Sequence, residues 1–181
     1  MDLITILLSA YNEPIYMIKK SVESILSQTY TNIEVILIND NPQYMELDQL
    51  FKKYRSRDAR VRYVYHEENK GLVYSLNEGI KMATGNYVAR MDADDISYCD
   101  RLEKQIKFLK SNQYDMVGCN VIKIDENEKY IKELRVPEKF ESIKKYQKYG
   151  NCMLHPTWLV KREVYVKLDG YRKIYACEDY D

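Results

Sequence analysis

The chain has 181 residues, with 28 lysines and arginines balanced by 28 aspartates and glutamates; that length suits one domain whose core needs no disulfide support. The even balance supplies no global field for nucleic acid or an anionic membrane, and no local basic stripe suggests nucleic-acid binding. No apolar run nears the roughly 20 residues of a membrane span, and the N-terminal run is too short for a signal peptide, so the chain reads as soluble.

The first element is a strand over residues 3–8 (LITILL). Pro14 then suits a first helical turn, with Asn12 or Glu13 positioned to cap it. Ile15, Ile18, Val22 and Ile25 recur at three and four residues and form one apolar stripe. Residues 33–38 (IEVILI) read as a second strand, 45–57 as a helix, 61–65 (VRYVY) as a third strand, 72–82 as a helix and 87–91 (YVARM) as a fourth strand. Nearly continuous hydrophobic runs belong to strands buried on both faces. Their alternation with helices predicts a largely parallel sheet with helices on its faces. The later half is less regular. A helix over 101–110, strands over 116–124 and 130–136, a Lys-rich helix near 137–148 and a strand over 157–161 are expected. No repeat or linker divides residues 1–181.

Cys99, Cys119, Cys152 and Cys177 are too far apart for zinc-site spacing. They read as reduced and mostly packed, which suits a reducing cytosol.

Ligands of open parallel sheets bind outside the carboxyl ends of the strands. Three polar clusters fall there: Ser9-Ala10-Tyr11-Asn12-Glu13-Pro14, Asn39-Asp40-Asn41-Pro42, and Asp92-Ala93-Asp94-Asp95. Neither a Gly-x-Gly-x-x-Gly fingerprint nor a Gly-x-x-x-x-Gly-Lys-Ser/Thr loop is present. The three carboxylates of residues 92–95 repel one another unless a cation or hydrogen-bond donors relieve them. Such a set suits magnesium or manganese, which bind one or two carboxylates together with substrate phosphate. The plainer alternative is a solvated acidic turn capping the helix near Arg101. Asp40 suits the imide N–H of a uracil ring, yet Asn-Asp-Asn-Pro is also ordinary turn chemistry. Near the C-terminus, Glu178-Asp179-Tyr180-Asp181 offers carboxylates for a general base, or simply an acidic tail. His155 reads as a donor to substrate or as a structural histidine.

Taken in order, these segments resemble the family 2 glycosyltransferases. The match includes Ser9–Glu13, Ser24-Ile25-Leu26-Ser27-Gln28-Thr29-Tyr30, Ile38-Asn39-Asp40, Asn69-Lys70-Gly71-Leu72 and Leu76-Asn77-Glu78-Gly79-Ile80. It continues through Ala83-Thr84-Gly85, Arg90-Met91-Asp92-Ala93-Asp94-Asp95, His155-Pro156-Thr157 and Asp169-Gly170-Tyr171 to the terminal acidic segment. The resemblance implies an α/β, A-type glycosyltransferase (Rossmann-like) fold, a mostly parallel sheet with helices on both faces. Residues 1–95 would form the nucleotide-binding half and residues 96–181 the acceptor-side half of a single domain. It further implies an inverting, metal-dependent enzyme that takes a nucleotide-sugar donor, most often a UDP-sugar. Ser9, Tyr11, Glu13, Asp40, Lys70, Asp92, Asp94 and Asp95 would bind the donor. Asp94 would hold a divalent metal, manganese or magnesium, with its precedence over Asp95 left open. Asp179 would be the catalytic base, with Glu178 beside it.

The resemblance also implies a glycan or lipid-linked acceptor, a part in bacterial surface-polysaccharide synthesis, and a cytoplasmic location peripheral to the inner membrane face. Two departures stand out. Asn39 occupies a position where many members carry a second aspartate. The sequence also stops two residues after Asp179, where members generally continue, and so reads as truncated. A sugar-nucleotide pyrophosphorylase would need a Gly-rich N-terminal loop that is missing here. A nucleotide-sugar-binding domain without turnover is the remaining alternative.

Overall fold

The computed structural model describes residues 1–174 and 179. Strands β1 (Ile4–Ala10), β2 (Ile33–Asn39), β3 (Val61–Tyr65) and β4 (Tyr87–Asp92) carry the first half of the chain. All are parallel, with β1 between β2 and β4, and β3 outside β2. Two antiparallel strands, β8 (Leu159–Lys161) and then β5 (Met116–Val117), extend the sheet beyond β4. The resulting order is β3-β2-β1-β4-β8-β5, and β6 (Val121–Ile124) pairs separately with β7 (Tyr130–Leu134).

The period-two direction of strand side chains explains the continuous apolar runs. Ile4, Ile6 and Leu8 of β1 join one core with Ile18, Val22 and Ile25 of α1 (Ile15–Leu26), Leu47 and Phe51 of α2 (Met45–Arg57), and Leu102, Ile106 and Leu109 of α4 (Arg101–Ser111). On the opposite face, Leu7, Ile36 and Ile38 pack with Leu76 and Ile80 of α3 (Leu72–Met82) and with Tyr165 of α6 (Arg162–Lys167). Helices therefore cover both faces of a mostly parallel sheet. The approach of α3 is close enough that a Cβ at Gly79 would lie 2.8 Å from Leu7 Cδ2. Among the described residues, no helix is long and apolar enough to cross a membrane.

Several local expectations change. Pro14, with ψ 135°, is itself the N-cap of α1, and no side chain caps that helix. Glu13 instead accepts a hydrogen bond from Tyr11 N at 2.7 Å, which spends its carboxylate within the preceding turn. The strand expected over 116–124 divides at residues 118–120. There Thr157 Oγ1 accepts from Cys119 N at 3.1 Å and draws the chain off the sheet. The Lys-rich helix is shorter than expected, α5 (Phe140–Tyr146). Thr157 closes a 3-10 turn (His155–Thr157) rather than opening a strand, and α6 was not foreseen. Among the cysteines, Cys152 is buried, Cys119 half-buried and Cys99 exposed, all as free thiols, so packing does not extend to Cys99. Cys177 lies outside the described residues.

Candidate active site

Register sets the site. Ser9 of β1 lies beside Asp92 of β4, and Ala10 lies beside Asn39 of β2. The strands run on into their polar residues, so all three polar clusters meet at the carboxyl edge of the parallel sheet.

At β2, Asp40 is buried. Its backbone N donates to Ala10 O at 3.0 Å. Its carboxylate accepts from Lys70 N and Gly71 N, each at 2.8 Å, and lies 2.7 Å from His66 Nδ1. Gly71 has φ 84°, a left-handed conformation that glycine adopts without strain, and it turns its N–H toward Asp40 just before α3 begins. The other nitrogen of His66 lies 2.6 Å from Glu78 Oε2. Asn41 Nδ2 donates to Tyr11 O at 3.0 Å and Asn12 Oδ1 at 2.7 Å, which ties the β1 loop to the β2 loop. Tyr11 is exposed, and Ser9 and Glu13 are half-buried. The Lys70 amine pairs with Glu68 and lies 5.8 Å from the centre of the Tyr74 ring.

At β4, Asp92 ends the strand and pairs with the buried guanidinium of Arg90. Its carbonyl accepts from Ser21 Oγ of α1 at 2.8 Å. Asp94 and Asp95 are exposed. Although the residue is exposed, partial desolvation of its carboxyl, then the charges of Asp92 and Asp94, pushes Asp95 up to about 6, against the opposing pull of Arg90 and Arg101. The negative charge of this turn is thus only partly compensated by the protein itself. A hard divalent cation fits that donor set. Among the described residues no three metal-ligating side chains converge into a ready-made cage, so an ion here would complete its shell with substrate phosphate and water.

The turn after the cluster is held by α1. Gln28 Nε2 donates to Tyr98 O at 2.7 Å and Ser24 O at 3.0 Å, while Gln28 Oε1 accepts from Leu102 N at 3.1 Å. These contacts account for the Ser24–Tyr30 segment. Similarly, Asn77 of α3 exchanges two hydrogen bonds of 2.8 Å with the backbone of Tyr171. That exchange anchors the Asp169-Gly170-Tyr171 turn.

His155 is buried, with Nε2 2.9 Å from the Tyr171 hydroxyl, which in turn lies 2.9 Å from that of Tyr165. Burial, then the charge of Arg90, holds His155 down to about 3, so the imidazole is neutral and belongs to the packing. Asp179 is half-buried and accepts from Asn151 Nδ2 at 2.8 Å. Burial, first of all, pushes the Tyr171 hydroxyl well above its ordinary value. Glu178 lies outside the described residues. A cavity of about 650 Å³ between α4 and α5 is lined by none of the residues predicted for the site.

The model of glycosyl transferase family 2 matches residues 5–168. The chain belongs to this family. Glycosyltransferase MJ1057 of Methanocaldococcus jannaschii is 37% identical over 182 residues, covering 99% of this chain and 62% of the relative. The O-antigen biosynthesis glycosyltransferase WbnJ of Escherichia coli is 35% identical over 181 residues, covering 100% of this chain and 70% of WbnJ. This family 2 chain thus spans about three fifths to seven tenths of these curated relatives. Among solved structures, Staphylococcus aureus TarS 1-349 in complex with UDP-GlcNAc superposes with TM-score 0.76 at 20% identity, over 99% of this chain and 51% of that one. The mannosyltransferase PcManGT of Pyrobaculum calidifontis, in complex with GDP-Man and Mn2+, gives 0.72 at 18%, over 98% and 49%. These two likenesses establish the A-type fold.

Sequence reasoning named neither His66 nor Asn151, and gave no role to Glu78 and Arg90 within the segments that contain them. Arg90 had a visible signal, a charged residue inside an otherwise apolar strand, which requires a buried partner. His66 follows β3 directly and shares that strand-end position with the other clusters.

Proposed function

We propose that this chain transfers a sugar from a nucleotide-sugar donor, a UDP-sugar, to an acceptor hydroxyl with inversion at the anomeric carbon. The observation that carries the reading is the register that sets Ser9 beside Asp92 and Ala10 beside Asn39. In this reading Ser9, Tyr11 and Glu13 line the nucleoside pocket, Asp40 reads the base, Asp92 approaches the ribose or sugar, Asp94 with Asp95 beside it serves the metal and diphosphate, and Lys70 adds a donor contact. The UDP-GlcNAc of TarS and the GDP-Man with Mn2+ of PcManGT support a nucleotide-sugar donor and a divalent ion.

In this reading Asp179 takes the proton of the acceptor hydroxyl, oriented by Asn151 and with Glu178 beside it. The acceptor oxygen bonds to the anomeric carbon from the face opposite the diphosphate. The bond from that carbon to the diphosphate oxygen breaks, and its electron pair leaves with the nucleoside diphosphate. A manganese or magnesium ion held by Asp94 would supply Lewis-acid charge for that departing group. WbnJ supports a glycan acceptor in surface-polysaccharide synthesis. A lipid-linked acceptor and a cytoplasmic place at the inner membrane face belong to the same reading.

Calorimetric titration of UDP, with and without manganese, into the wild-type chain and Asp94→Ala tests the donor half. Manganese-dependent binding that the variant loses is the expected result. A folded wild-type chain that binds neither UDP nor GDP, or an Asp94→Ala chain that binds as wild type, refutes the site assignment.

A further inference from the structure

We propose that His66 determines which nucleobases this chain accepts, by holding Asp40 as a hydrogen-bond acceptor aimed at the base. The inference rests on the reading of Asp40 as the residue that faces the base.

His66 follows β3 and is 5% exposed. One ring nitrogen lies 2.7 Å from Asp40 Oδ1 and the other 2.6 Å from Glu78 Oε2. The imidazole thus bridges two carboxylates, with one ring nitrogen committed to Asp40 and the other to Glu78. Tyr74 closes the ring from the side, with centroids 5.5 Å apart. Asp40 Oδ1 also accepts from Lys70 N, and Asp40 Oδ2 accepts from Gly71 N. A carboxylate has about four acceptor positions. Three are taken here, two of them on Oδ1, and the open one lies on Oδ2. His66 thereby fixes which oxygen is available and keeps it a pure acceptor.

Such an oxygen pairs with the N3–H of uracil. Against cytosine, whose N3 is itself an acceptor, it sets acceptor against acceptor. Two pyrimidine diphosphates of nearly equal shape are therefore told apart by one atom. If Asp40 turns, that distinction is lost even though the two bases have nearly the same shape.

Asparagine and glutamine separate the two jobs of the ring, because their amide nitrogens reach about as far as Nδ1 and Nε2 respectively. His66→Asn keeps the donor to Asp40 and loses the one to Glu78, whereas His66→Gln does the reverse. Calorimetric Kd values for UDP and CDP, in the presence of manganese, are compared for wild type, both variants and Asp40→Ala, with thermal melting of each. The wild-type chain is expected to favour UDP by about tenfold, the size of one mispaired buried hydrogen bond. His66→Asn should stay within about threefold of that ratio, and His66→Gln should bring it close to one, at similar melting temperatures. A histidine that only packs would shift both variants alike. The proposal is overturned if His66→Gln keeps the wild-type preference, if both variants lose it equally, or if the folded wild-type chain fails to prefer UDP. An Asp40→Ala chain with the wild-type ratio overturns the prior reading of Asp40, whatever the histidine variants do.

Discussion

Replacing Asp95 by asparagine should stabilise the protein, and only at neutral pH. The Asp95 carboxyl is pushed from its ordinary 3.8 up to about 6, by partial desolvation first and then by Asp92 and Asp94. Between those values the folded chain holds a proton that the unfolded chain has released, so this group makes stability fall as pH rises. The penalty is complete above about pH 6 and absent below about pH 4. At about 1.4 kcal/mol per unit, the full shift amounts to about 3 kcal/mol. Asp95 is exposed, however, and solvent screening reduces that figure to about 1 kcal/mol. Asp95→Asn keeps the shape and removes the charge. It should therefore gain about 1 kcal/mol over wild type near pH 7.5 and nothing near pH 4. Urea denaturation of both chains at the two pH values measures the difference. Comparing chains matters because His155, held down to about 3, favours the fold more as pH rises and acts on both alike. On the proposed metal reading, saturating manganese near pH 7.5 should shrink the gap, since an ion held there would relieve the same repulsion. A variant less stable than wild type at neutral pH, or an offset that does not change with pH, refutes the reasoning.

Three further outcomes follow from the geometry. Gln28→Ala removes the clamp on the turn after the acidic cluster and leaves Leu102 N without its acceptor; a loss of about 2–3 kcal/mol in urea denaturation is expected. Gly170→Ala meets both a φ of 76° and a Cβ only 2.3 Å from Asn77 Oδ1. It should cost about 1–3 kcal/mol, read as a drop of about 2–4 °C in Tm per kcal/mol. Asp179→Asn should lower release of UDP from a UDP-sugar by about a hundredfold or more while the Kd for UDP stays at the wild-type value.

The first two strands were legible because both of their faces are buried, which makes them nearly continuous apolar runs. The carboxyl ends of β1, β2 and β4 were read short, whereas β3 has the expected bounds. Ser9, Ala10, Asn39 and Asp92 look like loop residues by composition, yet they continue the parallel ladder. Those same residues begin the candidate site, so the misread boundary and the proposed binding edge coincide. In the later half, local composition misleads for a different reason. Val164 and Val166 favour a strand, yet the segment is helical, and the neighbours Val164 and Tyr165 both pack against the second core while Val166 is exposed. The roles of Gln28 and Asn77 were out of reach even though both sit inside recognisable segments. Their partners lie 70 and 94 residues away, and no local pattern encodes such a contact.

The acidic cluster is divided by the fold into unequal parts. Asp92 is anchored twice, by the buried Arg90 through its carboxylate and by Ser21 through its carbonyl. Arg101, the second nearby cation, is occupied by Pro156 O at 3.1 Å and by the Met91 sulfur at 3.5 Å. Asp94 and Asp95 remain at the exposed end, where a cation and a diphosphate have access. Substitution should therefore separate the two ends. Asp92→Asn weakens the partner of an arginine whose side chain is only 4% exposed, and should cost about 1–3 kcal/mol. Asp94→Asn should change stability by no more than about 0.5 kcal/mol, as exposed substitutions usually do. It should nevertheless abolish manganese-dependent UDP binding. Melting curves and manganese titrations on the two variants test this division directly. A stable Asp92→Asn chain beside a destabilised Asp94→Asn chain that still binds UDP would reverse it, and would move the metal position to the strand end.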